Sequence, residues 1–144
     1  MEGHPTHRYH FLRNDNEPCC MPCEIIWEPR GVWRRFNGRM SAEDLLRSIE
    51  VVHGDPRFDD LRYSLNDFLD VTVSEIDPDT LVRSAAQAIG ATLSNNRLVM
   101  LMVVADPVIR ESVRRFTGPP LSSFRAEFFD TRDAAREWIA RHCS

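Results

Sequence analysis

Residues 98–105 read LVMLMVVA, an unbroken apolar run with the length of a single β-strand. A strand with one solvated face alternates polar and apolar residues, whereas this run is apolar on both faces. It therefore predicts a central strand that is covered by helices on each side. The run is much shorter than the ~18 residues that span a bilayer, so we expect no membrane-spanning segment.

Strand and helix signals alternate on both sides of this run. The five predicted strands are residues 24–28, 32–37, 61–68, 98–105 and 124–129. The predicted helices begin at residues whose side chains can accept from a free backbone N–H: Ser41, Asp77, Asp106 and Thr131. The order is ββαβαβαβα. Because strands separated by single helices need crossovers, we expect an α/β fold with a mostly parallel five-stranded sheet, an opening hairpin and four helices.

Turn residues and one loop set the predicted boundaries. Gly31 lies in the hairpin turn, where it can adopt a positive φ, and Gly38 ends the second strand. Residues 69–76 are predicted to form a loop before the second helix. Residues 1–22 are polar and lack strand or helix periodicity, so we expect a flexible tail followed by one domain at 23–144.

Composition excludes several classes of protein. The 144 residues suit one domain, and the formal net charge of −4 gives no basic face for nucleic acid. Cys19, Cys20 and Cys23 are crowded before the first strand and Cys143 is penultimate, which is not the spacing of a disulfide framework. The polar N-terminus lacks the apolar core of a secretory signal, so we expect a cytoplasmic location.

Several short motifs carry a family resemblance. They lie in the hairpin, before and at the end of the third strand, and before the last two helices. They are residues 26–32 (IWEPRGV), 54–63 (GDPRFDDLRY), Asp67-Phe68 with Asp70, Ala105-Asp106-Pro107 and Phe129-Asp130-Thr131. With the element order, they make the chain similar, over about residues 23–141, to the STAS-related domain of anti-sigma-factor antagonists, and closest to the SpoIIAA-like bacterial branch. The resemblance implies a non-enzymatic domain that binds a partner protein or a small ligand.

The resemblance also points to a phosphorylation site. Anti-sigma-factor antagonists are phosphorylated by a partner kinase on a serine near the start of the second helix. Ser74 is the nearest hydroxyl here, with Thr72 beside it, but the usual Ser-Gly element is missing. A phosphate on Ser74 would lie beside Glu75 and Asp77, which would repel it, so an ordinary loop residue is the favoured interpretation.

Carboxylates follow several predicted strands at the edge where open parallel sheets bind ligands. Asp106 and Asp130 are explained by helix starts, whereas Asp67 and Asp70 have no such role and are candidate binding residues together with Thr72 and Ser74. Grouped carboxylates could hold Mg²⁺ or act in phosphoryl chemistry. A receiver-type site would also need a lysine, and the chain contains none.

The remaining chemical motifs have simpler interpretations. His4, His7 and His10 with the nearby cysteines could bind zinc, but the spacing fits no standard finger. The Cys20–Cys23 pair precedes a strand, whereas a thioredoxin-like motif follows one. His53 is expected at a helix end, where a positive charge favours the dipole. We predict no catalytic residue, no metal and no cofactor.

Three classes of function remain open. The first is a regulatory protein-interaction module, and the second is a domain for a small hydrophobic ligand or lipid, as in Sec14-type proteins. The third is an enzyme that uses Asp67 and Asp70. Trp27, Trp33 and Phe36 of the hairpin are expected to be core residues, although they could line a pocket, and an exposed edge strand beside them could support a homodimer.

Overall fold

The computed structural model describes residues 23–117 and 124–143, which form a mixed five-stranded sheet and four α-helices. The strands are β1 (Cys23–Trp27), β2 (Gly31–Met40), β3 (Tyr63–Ser74), β4 (Val99–Val103) and β5 (Arg125–Phe129). The helices are α1 (Ala42–His53), α2 (Pro78–Ser94), α3 (Pro107–Thr117) and α4 (Arg132–His142), and a 3₁₀ helix (Pro56–Asp60) follows α1. The predicted α/β class and the order ββαβαβαβα are confirmed for these residues.

The five strands lie in the sheet in the order in which they occur along the chain. β1 is antiparallel to β2, and β2 through β5 are parallel. The opening hairpin and the otherwise parallel sheet are therefore as predicted. β1 and β5 are the two edge strands.

Helices cover the sheet on both faces. Buried residues of α1, α2 and α3 belong to one apolar cluster with Met102 and Val104 of the central run. Leu101 and Val103 belong to a second cluster with Ala135 of α4. The prediction that residues 98–105 form a strand between two helical layers is confirmed, although the strand itself is limited to β4.

The predicted capping residues fix where the helices begin. Ser41 Oγ accepts from the Asp44 N–H at 3.1 Å, and Asp77 Oδ1 accepts from the Thr80 N–H at 2.8 Å. Asp106 and Thr131 accept in the same way at α3 and α4. Each helix follows a parallel strand, so the four helix N-termini lie at the carboxyl end of the sheet.

The predicted loop at residues 69–76 is wrong, because β3 continues to Ser74. β2 also continues past Gly38, which has a φ of +67°, and pairs with β3 up to Met40 and Ser74. Two register shifts occur between Arg35 and Arg39 of β2, and they let a strand with an irregular polar pattern stay paired. Asp70 and Thr72 looked like loop residues because they interrupt simple alternation.

Gly31 is required for a close contact and not for a positive φ, which corrects the sequence interpretation. Gly38 is the glycine with a positive φ among the described residues. A Cβ on Gly31 would lie 2.2 Å from Cζ of Tyr63, far inside van der Waals contact. The absence of a side chain at Gly31 therefore lets the Tyr63 ring pack against the hairpin.

We expect Gly31→Ala to lower the free energy of unfolding by about 2 kcal/mol, because the new methyl group displaces the Tyr63 ring. Urea unfolding followed by circular dichroism measures it. Gly90→Ala in α2 is the matched control, since a Cβ there meets nothing within 4 Å. The control should stabilise by about 0.5–1 kcal/mol. Equal effects of the two substitutions would refute the contact.

Candidate functional site

Most of the candidate residues lie at one end of the sheet. There β3 ends and α2, α3 and α4 begin. We call this end, formed by residues 69–77, 105–112 and 130–132, the carboxyl rim. Open parallel sheets bind ligands at this end.

Asp67 and Asp70, the two candidate carboxylates, are held by one arginine. Arg132 Nε donates to Oδ2 of the fully buried Asp67, and its Nη2 donates to Oδ2 of the half-exposed Asp70 at 3.2 Å. The hydrogen bond that Arg132 donates to Asp67 is the main reason that the pKa of Arg132 is raised above its usual value. The structure thus brings the predicted pair together, as the anchor of the α4 N-terminus.

Other groups also donate hydrogen bonds to these two carboxylates. Asp67 also accepts from Trp33 Nε1 at 3.3 Å and from the Leu69 N–H at 3.1 Å. Asp70 accepts a second arginine, Arg35, at 3.2 Å. Two carboxylates are therefore matched by two guanidinium groups. Hydrogen bonds within the fold use both oxygens of Asp67 and Oδ2 of Asp70. Among residues 23–117 and 124–143, no group of three or more His, Cys, Asp or Glu could hold a metal ion.

A second ion pair ties α4 to the hairpin. Arg136 donates to both oxygens of Glu28, at 2.8 and 2.7 Å, and the Tyr63 hydroxyl also donates to Glu28. Burial, together with this hydrogen bond, raises the pKa of Tyr63. The arginines at positions 132 and 136, one helical turn apart, fasten the first half of α4 to the sheet.

Asp106 has the predicted role at a helix start. Its Oδ1 accepts from the Val108 and Ile109 N–H groups at the start of α3. Asp130 directly precedes the cap of α4, and it is exposed and pairs with Arg110 of α3 at 3.0 Å. The ion pair of Asp130 is therefore with α3, while Thr131 caps α4.

Ser74 and Thr72 lie in β3 and not in a loop, which corrects the prediction. The Ser74 hydroxyl lies 2.8 Å from the Ser112 hydroxyl of α3, while Thr72 is exposed. Asp70 contacts α4 and Ser74 contacts α3, so the sheet separates the first candidate pair from the serine. The neighbouring Glu75 is paired with Arg39.

Exposed apolar side chains are gathered at the carboxyl rim and on the helix that starts there. Val73 at the end of β3 is 40% exposed, Val108 in the first turn of α3 is 78% exposed, and Val82 in the second turn of α2 is 64% exposed. They are the exposed large apolar residues among those whose side chains the structure describes. Val108 also lines a groove of about 430 Å³, together with Pro107, Glu111, Ser112 and Arg115.

The hairpin aromatics divide between the two faces of the sheet. Trp27 and Phe36 are buried core residues as predicted, and Phe36 stacks on Phe68 with ring centroids 5.0 Å apart. Trp33 lies on the opposite face, partly buried between the guanidinium groups of Arg35 and Arg136. Core burial is thus confirmed for two of the three.

A buried arginine lies between β2 and α1. Arg34 donates to Asn66 Oδ1 at 2.7 Å and to Ser48 Oγ at 3.0 Å. Burial lowers its pKa to about 10, and no ion pair with it occurs in the described part of the chain. The pKa of His53 is lowered to about 4, mainly by burial and secondly by the positive charge of Arg34. His53 lies at the end of α1 as predicted, and burial favours its neutral form over the positively charged form.

The partners of the candidate residues were not found from the sequence. Arg132 follows a predicted cap and Ser112 lies inside a predicted helix, so neither carried a local signal. A chain with eighteen arginines and no lysine could have suggested bidentate carboxylate pairs, but not which ones. His4, His7, His10, Cys19 and Cys20 lie outside the described residues. Cys23 is buried, which raises its pKa to about 12.

No family model, no curated protein and no solved structure matches this chain. In residues 23–117 and 124–143, every helix is too short or too polar to cross a bilayer.

Proposed function

We propose that this chain is a non-enzymatic, regulatory protein-interaction module of the SpoIIAA-like kind, acting in the cytoplasm. The observation that carries the proposal is that Val73, Val82 and Val108 are exposed at or near one end of the molecule. Exposed apolar side chains at one end of a molecule are a feature of protein contact surfaces.

The ion pairs at the carboxyl rim support a binding module over an enzyme. A general base or a metal ligand needs lone pairs that are available to substrate or ion. Asp67 is fully buried and accepts from Arg132, Trp33 and Leu69. Its role is to hold α4 and the end of β3 in place, which builds the surface but performs no chemistry.

The groove supports a protein partner over a lipid. Pro107 and Val108 give it an apolar part, but Glu111 and Arg115 line it as well. Small hydrophobic ligands prefer pockets lined mainly by apolar side chains with few polar groups. A mixed apolar and charged lining fits a polypeptide better.

We expect Val108→Arg to abolish binding of the partner while leaving the fold unchanged. The side chain is mostly exposed, so its replacement costs less than about 0.5 kcal/mol of stability, but a buried interface valine replaced by a charge weakens binding at least about tenfold. The protein is used as bait in extracts of its source cells, and bound proteins are quantified by mass spectrometry.

Asn96→Arg is the matched control, because Asn96 is exposed in the turn before β4, at the opposite end of the sheet. We expect to find a cellular protein that binds to the wild-type and Asn96→Arg baits but not to the Val108→Arg bait. Retention by all three baits, or by none, would contradict the proposal.

A further inference from the structure

β3 has an unpaired edge at the carboxyl rim. β4 pairs with β3 only from Tyr63 to Asp67, where Val103 is the last partner. β3 continues for seven more residues, Phe68–Ser74, in a two-stranded ribbon with β2. β4 lies beside residues 63–67 of β3, whereas no described strand lies on that side of Leu69–Ser74. The first N–H of this stretch, that of Leu69, is satisfied by the Asp67 side chain.

The backbone of Ser74 points to this open side. In a parallel ladder, successive residues direct their N–H and C=O groups alternately to the two neighbours. The Glu75 N–H donates to Met40 O of β2, across the Met40–Ser74 pair. The N–H and C=O of Ser74 therefore point away from β2, where the described residues offer them no backbone partner.

Helices contact both faces of this stretch. On one face the Ser74 hydroxyl contacts Ser112 of α3, and on the other face Asp70 contacts Arg132 of α4. A single extended chain is narrow enough to lie between them, since neighbouring strands are about 4.8 Å apart.

We infer that the Leu69–Ser74 edge accepts an extended segment of the partner protein as an added β-strand. The inference rests on the proposed function and specifies its binding mode. Main-chain hydrogen bonds to an exposed sheet edge provide affinity, and the side chains on either face of the added strand provide specificity.

The surroundings of the edge define the chemistry of that segment. Ser112 joins the edge to the groove on α3, where Pro107 and Val108 are apolar. Glu111 and Arg115 both line the groove and pair with each other at 3.6 Å. The segment therefore carries apolar, β-branched residues for Val73 and Val108.

Amide hydrogen exchange of the full chain tests whether the edge is open. We expect the Ser74 amide to exchange fast at every protein concentration. Protection independent of concentration would mean that residues of the chain itself occupy the edge. Protection that grows with concentration would mean that a second copy does. Either result would overturn the inference.

Peptides selected from a displayed library of random sequences of about twelve residues supply the probe. We expect the selected peptides to be rich in apolar, β-branched residues and to slow exchange of the Ser74 amide at least about tenfold. Failure to select any peptide, or selected peptides that leave this amide unprotected, would overturn the inference.

Ser74→Pro removes the outward N–H, whereas Ser74→Ala removes only the hydroxyl. We expect the peptides to bind Ser74→Ala like wild type and Ser74→Pro at least about tenfold more weakly, with circular dichroism confirming that both variants fold. Suppose instead that the retained cellular partner binds Ser74→Pro like wild type and is lost only from Val108→Arg. The proposed function then stands and the added strand is refuted.

Discussion

Replacing Arg132 by methionine is expected to lower the free energy of unfolding by about 3 kcal/mol. Asp67 is fully buried, and the substitution leaves its charge without a counter-ion. Asp70 loses one of its two arginines at the same time. The bonds from Trp33 and Leu69 to Asp67 remain, so the loss falls at the lower end of the range for a broken buried pair.

Chemical unfolding of two further variants separates this ion pair from a general effect of removing an arginine. Arg141→Met in the same helix removes an exposed pair with Glu137 and should change stability by less than about 0.5 kcal/mol. Asp67→Asn combined with Arg132→Met removes both charges and should recover at least about 1 kcal/mol. A double variant no more stable than Arg132→Met would show that the buried charge is not the cause.

Lowering the pH from about 7 to about 4 is expected to destabilise the fold through His53 by at most about 3 kcal/mol. The folded pKa of His53 is about 4, against 6.5 for an unperturbed histidine. In this range the unfolded chain binds the proton and the folded chain does not, so stability falls as the pH falls. A shift of 2.5 units at 1.36 kcal/mol per unit sets the upper limit.

An NMR titration of the His53 ring measures this pKa directly. The ring lies 4.7 Å from that of Phe58 and 6.5 Å from that of Phe124, between centroids, so His53→Phe retains an aromatic contact and removes the titration. Wild type should gain stability relative to His53→Phe as the pH rises from about 4 to about 7. Arg34→Met should raise the His53 pKa, because it removes a positive charge that lowers this pKa. A His53 pKa near 6.5 in wild type would contradict its burial.

Local chemistry explains what the sequence could predict. Ser41, Asp77, Asp106 and Thr131 act within one turn of themselves, so their capping bonds are encoded in adjacent residues. The apolar run at 98–105 has no polar residue, which by itself predicts a strand buried on both faces. Helix starts, strand order along the chain and the parallel arrangement all follow from such local features.

Features that join distant residues could not be predicted. Asp67 and Arg132 are 65 positions apart, and Ser74 and Ser112 are 38 apart. The strand over residues 69–74 is maintained by pairing with β2 through register shifts, which a period-two pattern does not show. Asp67 and Asp70 were correctly predicted to lie near the carboxyl end of the sheet. The arginines that pair with them come from α4 and β2, and these partners could not be predicted.

Site-specific photo-crosslinking in living source cells tests the central claim most directly. A photoreactive residue is placed at Val73, Val82 or Val108, and for comparison at Arg30, Asn96 or Arg97, which are exposed at the opposite end of the sheet. The account predicts that the first three positions crosslink to one common protein and the last three do not. A common protein captured from the opposite end, with none captured from the three valines, would contradict it.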